Sequence, residues 1–468
     1  MRVLVGSGLP RTRVSGVPSR WISTSTSPCG TFLSLVQTNY PAAGSASQCG
    51  EASPAVPEEA ALRRAIVARM TEAGPSEERL DLRTVAVAIT VATLGVLPAF
   101  LTGGMAVQVS EELGFGAAQL GLAVALFFFA AALSAVFMGR VVERVGSHAG
   151  MRLAAASSAL SMLGIAAFAS SWGVLVAFLA LGGFANSMSH PAANLSLARE
   201  VPAGRQGLSF GIKQASIPAA TLLAGLAVPF VAVTLGWRWA FVFGAVIAAA
   251  FVFLVPREEH PVVPKPEGKS APPDAKTGSL VLLALGIGLG STAATPLGSF
   301  VVSWAVESGI RVETAGFLLA AGSALSILVR VVSGHLADGM SGGRLRIVAA
   351  MLVCGVGGFG LLATGLPIAI VLGTLLAFAA GWGWPGLFNF AVVKSSPSAP
   401  AAATGVTQTG ASAGAACGPL VFGFVAEGVS FGVAWTLCGV FALAATAAIL
   451  AARGRLLAGT GKPAGGRS

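Results

Sequence analysis

The stretch GRVVERVGSHAGMR, Gly139 to Arg152, ends one long apolar run and opens the next. In the second half GHLADGMSGGR, Gly334 to Arg344, does the same, 334 − 139 = 195 residues later. Each copy sets a glycine four positions before a carboxylate, Gly139 before Glu143 and Gly334 before Asp338, with Arg144 and Arg344 following. The echo continues around it: Pro191 and Pro385, Asn194 and Asn389, Gly211 and Gly405, Gln214 and Gln408, Trp239 and Trp435, all at offsets of 194 to 196. A membrane unit written twice in one chain is the architecture of a secondary transporter, with its site between the halves.

Composition agrees. The chain is 54% hydrophobic and 10% charged, with mean hydropathy +0.80, against about 25% charged in soluble domains. A bilayer core takes about 20 apolar residues as helix. Twelve such stretches are expected, at 84–109, 116–138, 152–170, 173–198, 208–230, 234–255, 279–305, 314–333, 346–366, 368–393, 404–427 and 432–452. Barrel strands are about 10 residues long and alternate polar with apolar, a pattern absent here. The expected fold class is an all-α integral membrane protein, twelve transmembrane helices in two parallel six-helix repeats.

The net charge of +10 is a matter of topology. One set of loops and the tail carry Arg140, Arg144, Arg152, Arg199, Arg205, Arg257, Lys265, Lys269, Lys276, Arg344, Arg346, Lys394, Arg453, Arg455, Lys462 and Arg467. The opposite side has Arg238 and Arg311 beside Glu111, Glu112, Glu307, Glu313 and Glu427. Basic loops stay inside, so both termini are expected in the cytoplasm and the protein in the cell (inner) membrane. No nucleic-acid partner is expected.

Residues 1–83 stand outside the repeat. They are rich in Ser, Thr, Pro and Ala, with Arg2, Arg11, Arg13 and Arg20 ahead of the first acid, Glu51, which resembles a transit peptide. Alternatively the true start lies near Met70, and the segment is a mis-assigned extension without structure of its own. The six-helix bundles are expected over 84–255 and 279–455, joined by the Pro-rich, charged linker 256–278 and followed by a tail, 456–468. Five cysteines and four histidines form no metal-ligand spacing, and no phosphate-binding loop occurs. No catalytic residue, metal or cofactor is expected.

These features resemble the major facilitator superfamily over about residues 84–455. The six-plus-six layout, the loop between spans 6 and 7, the motif at Gly139–Arg144 and the GWRWAF segment (Gly236 to Phe241) carry the resemblance. The copies depart from the family pattern at Ser147, His148 and Gly339, so no subfamily follows. The resemblance implies alternating access and a cytoplasmic gate built from Gly139, Glu143, Arg144, Gly334 and Asp338. Glu143 would reach the start of span 11 near Thr404–Thr407, and Asp338 the start of span 5 near Leu208–Gly211, where helix N-termini favour carboxylates. Such contacts form when the carrier faces outward and break when it faces inward.

Polar residues within spans usually face a cavity. Asn186, His190 and Asn194 recur at four-residue spacing on span 4, and Asn389 stands on the matching span 10. Thr292 and Thr295 lie on span 7, Lys213 and Gln214 on span 5, Arg330 on span 8 and Gln408 on span 11. For each, interhelical hydrogen bonding competes with substrate contact. The His190–Pro191 step predicts a local break. Basic residues without a mid-depth acid favour an anionic or neutral solute.

The expected function is a monomeric secondary active transporter of a small organic solute, driven by the proton gradient, with His190 the candidate proton acceptor. A drug or metabolite efflux antiporter is the alternative, although the GPxxGG-like antiporter signature is missing from span 5. A transporter-like solute sensor is the other class.

Overall fold

The computed structural model describes residues 82–200, 213–256, 277–338, 340, 342–396 and 399–460. The described helices belong to one compact unit, Glu77–Ser468. The expected extension at 1–83 and the linker 256–278 fall almost wholly outside the described residues.

Twelve helices are long and apolar enough to cross a membrane. We label them α1 (Arg83–Gly104), α2 (Ala117–Val145), α3 (Ser147–Phe168), α4 (Trp172–Leu197), α5 (Ser216–Leu235) and α6 (Trp237–Leu254) in the first half. The second half holds α7 (Thr277–Glu307), α8 (Val312–Ala337), α9 (Arg344–Ala363), α10 (Pro367–Ser395), α11 (Ala402–Gly428) and α12 (Phe431–Ala458). No strand occurs among the described residues. Large apolar side chains point outward all round the helices, Phe253 being 86% exposed, Ile368 74% and Leu133 73%. Such a surface suits lipid rather than water.

Each half packs on its own, α4 against α1, α2 and α3 in the first and α12 against α7 and α9 in the second. The halves meet along three seams: α2 on α11, α5 on α8, and α1 on α7. An even number of crossings puts α1's start and α12's end on the same side, here the terminal end; the other is the far end.

Several boundaries differ from expectation for physical reasons. The loop expected at 139–151 is a single residue: α2 runs to Val145, α3 begins at Ser147, and Gly146 turns the chain at φ +90°. Such backbone favours glycine. The charged residues Arg140, Glu143 and Arg144 therefore ride on the helix itself, past its apolar part. Span 1 stops at Gly104, where two glycines weaken the helix, and a separate helix, Ala106–Leu113, follows. The predicted break at His190–Pro191 is absent, since α4 is continuous there and packed neighbours hold a proline within a helix. The interruption lies in the matching helix α10, where a π-turn at Ala377–Gly381 gives way to non-helical Trp382–Trp384. α12 continues to Thr460, into the segment expected as a tail.

Candidate functional site

Glycines decide how closely the seams shut at the far end. A Cβ on Gly121 of α2 would lie 2.2 Å from the Pro419 carbonyl of α11, and one on Gly423 of α11 would lie 2.4 Å from the Ala117 carbonyl. On the second seam, a Cβ on Gly225 of α5 would lie 2.6 Å from the Ala320 nitrogen of α8. Between α1 and α7, a Cβ on Gly103 would meet the Ser299 Cα at 2.5 Å. Backbones touch backbones on all three seams.

The terminal end differs. A Cβ on Gly139, Gly334, Gly386 or Gly405 would have no described neighbour within 4 Å. Glu143 is exposed and makes no hydrogen bond or ion pair with a described residue. Thr407, in its expected target, is buried and bonds the Thr404 carbonyl of its own helix at 3.1 Å. Arg144 is exposed as well. Asp338 ends its helix, but its side chain and its expected target at 208–211 lie outside the described residues. Among the described residues the α2–α11 seam is thus shut at the far end and open at the terminal end, at Gly139 and Gly405.

Between these ends, buried polar groups gather beside the α5–α8 seam. The Thr221 and Ser323 hydroxyls bond across it at 2.7 Å. Nearer the terminal end, Arg330 is 2% exposed; its Nη1 donates to the Gln214 carbonyl (2.6 Å) and its Nη2 to the Trp382 carbonyl (2.7 Å). Both carbonyls belong to non-helical stretches, before α5 and within α10, where backbone acceptors lack an intrahelical donor. Arg330 thereby ties a gap in one half to a gap in the other, and its Nε has no partner. Lys213, next to Gln214, is 6% exposed and makes no hydrogen bond or ion pair with a described residue. His190 of α4 is half-buried. One turn away Asn186 is buried with its Oδ1 unpartnered.

The structure therefore brings Lys213, Gln214 and Arg330 to one neighbourhood, while His190 and Asn186 lie one turn apart on α4. It does not bring every candidate there. Thr292 and Thr295 are buried, but their hydroxyls bond back to Gly288 (3.0 Å) and Ser291 (2.8 Å) of their own helix. Asn194 and Gln408 are exposed and Asn389 half-buried, with no hydrogen bond to a described residue. Each described acid on the spanning helices, Glu143, Glu307, Glu313 and Glu427, sits in a first or last turn. Among the described residues no group of three metal-ligating side chains occurs.

Two contributors had no role from the sequence. Trp382 offers its carbonyl to Arg330 and its ring edge-on to Phe100 of α1, centroids 5.9 Å apart. The run GWGWP, Gly381 to Pro385, signalled it by its glycines and proline. Glu427 accepts the Ala118 N–H at 2.8 Å across the α2–α11 seam.

Comparison with known proteins agrees with this architecture. The family model of the Major Facilitator Superfamily matches residues 87–369. Two relatives from Mycobacterium tuberculosis strains CDC 1551 and H37Rv, both described as uncharacterized MFS-type transporters, are 26% identical over 318 residues, 66% of this chain and 71% of theirs. Among solved structures, a bacterial homolog of the human lysosomal transporter Spinster, inward-facing and occupied, aligns with TM-score 0.64 and 16% identity over 81% of this chain and 98% of that one. The human organic anion transporter MFSD10 aligns with TM-score 0.60 and 19% identity over 78% and 99%. These structural likenesses concern the fold. With the family matched over more than half its length, and with twelve spanning helices in two repeats, the chain belongs to the Major Facilitator Superfamily.

Proposed function

We propose that the chain is a secondary active carrier that moves a small organic anion by alternating access, driven by the proton gradient. The observation that carries the reading is a pair of buried cations, Lys213 and Arg330, beside the α5–α8 seam, with no described carboxylate at mid-depth. An unpaired buried charge is costly. A solute that brings a negative group relieves that cost, whereas a cationic solute adds to it. The basic terminal end corresponds to the cytoplasm, so the arrangement is inward-facing. The opposed state would close the latches at Glu143 and Asp338.

The test is uptake into liposomes holding the purified chain, with a panel of carboxylates matched to their amides and amines. Carboxylates are expected to enter, faster with a proton gradient. Lys213→Gln loses a charge-assisted hydrogen bond worth about 1.5–3 kcal/mol, roughly ten- to a hundredfold in rate, whereas Lys213→Arg keeps part of it. Equal entry of amines and acids, or wild-type rates in Lys213→Gln, overturns the substrate class. His190→Gln with undiminished gradient-driven accumulation removes His190 from the proton path. Asp338→Ala is expected to slow transport without preventing membrane insertion, and unchanged rates would remove its gate role.

A further inference from the structure

The far-end seam is asymmetric. α2 and α8 are equivalent helices that start at Ala117 and Val312, 312 − 117 = 195 residues apart, the spacing of the repeat. A helix N-terminus presents unpaired N–H groups and partial positive charge. In α8 that end holds an acid of its own, Glu313, which also accepts from Arg311 at 3.3 Å. The equivalent residue in α2 is Ala118, 313 − 118 = 195, and the first turn of α2 contains no acid.

The missing charge comes from the other half. Glu427, at the end of α11, places Oε2 2.8 Å from the Ala118 nitrogen. A Cβ on Gly116 would lie 2.2 Å from that same oxygen, so bare backbone admits the carboxylate. Gln119 of α2 serves only the Gly116 N–H, at 3.3 Å. The counterpart contact, between α5 and the start of α8, is apolar. Gly316 lies against Val228 and Pro229, and Phe230 meets Phe317 edge-on at 5.6 Å.

We infer that Glu427 is a positioning residue of the transport cycle, a one-sided latch that holds the far end shut and must let go of α2 before that end opens. The inference rests on the alternating-access reading. Opening along α2–α11 strips a carboxylate from a helix end, whereas the α5–α8 side holds the Thr221–Ser323 hydroxyl pair and the Arg330–Gln214 bond but no described carboxylate to release.

The experiment uses the full chain in lipid nanodiscs, with its native cysteines replaced and spin labels at Ser170→Cys and Val429→Cys. These far-end positions are exposed, one in each half. Glu427→Gln removes the charge. Ala118→Pro removes the donor N–H while keeping the helix, because proline is tolerated in a first turn. Each is expected to raise the separated far-end population roughly two- to fivefold, the range for a charge at a helix end. The double variant should exceed neither single by more than experimental error, since both delete one contact. A Glu427→Gln distribution identical to wild type overturns the latch, as does a double effect equal to the product of the singles. A far end that stays shut in wild type and every variant overturns alternating access itself.

Discussion

At the scale of single residues, the charges divide into those that are satisfied and those that are not. Arg330 spends two of its nitrogens on backbone carbonyls at two helix gaps, so its removal should act on shape. We expect Arg330→Met to lower the melting temperature of the purified chain, because a buried guanidinium bonded this way contributes about 3 kcal/mol or more. Lys213→Gln should leave or raise the melting temperature, since it deletes a charge without a described partner. The opposite ranking in a thermal-shift measurement would exchange their roles. Glu112, on the far-end helix Ala106–Leu113, is a satisfied acid. It bonds Arg238, and Trp237 Nε1 donates to it at 2.6 Å. Burial, the largest single influence, pushes its carboxyl up, but the hydrogen bonds from Arg238 and Trp237 and the Arg238 charge together hold it below its ordinary value. A depressed acid contributes stability above its unfolded pKa and loses it as pH falls through the folded one. Glu112→Gln should therefore melt below wild type at neutral pH, with the gap closing in acid below the usual carboxylate range. A gap that persists there would assign the effect to packing.

At the scale of helices, the seams are made by omission. Gly121 and Gly423 let α2 and α11 meet backbone to backbone, and Gly225 and Gly316 do so for α5 and α8. Gly121→Val would press a side chain into the Pro419 carbonyl, an overpacking strain of about 1–3 kcal/mol felt only while the far end is shut. The expected outcome is at least a threefold loss of transport in liposomes with insertion intact, and full activity would show that the seam yields. Gly139→Ala, with no described neighbour within 4 Å, should leave this form unstrained and, on the alternating-access proposal, tell only when the terminal end closes. Helix continuity follows the same reasoning. Pro191 passes within an unbroken α4, supported by packed neighbours, while α10 opens at Trp382–Trp384, where the buried Trp382 gives its carbonyl to Arg330.

For the whole molecule, the repeat of Gly139–Arg152 in Gly334–Arg344 and the apolar runs were enough to read twelve helices and two halves. Depth and direction were harder. Thr292 and Thr295 share spacing with a cavity face, yet their hydroxyls turn back to their own helix, a choice that sequence periodicity does not encode. Glu427 was legible as a charge at a helix end, but its bond to Ala118 lies 427 − 118 = 309 residues away. Only the docking of the halves creates it. Trp382 was hidden likewise, because what it contributes to Arg330 is a backbone oxygen.

The contrast between Glu427 and its apolar counterpart has a consequence for ancestry. A homodimer of six-helix subunits would have to carry any such acid twice, once on each side of its two-fold axis. Joining the copies on one polypeptide lets a substitution appear on one side alone. The fused chain can thus favour one direction of opening over the other, a bias unavailable to a pair of identical subunits.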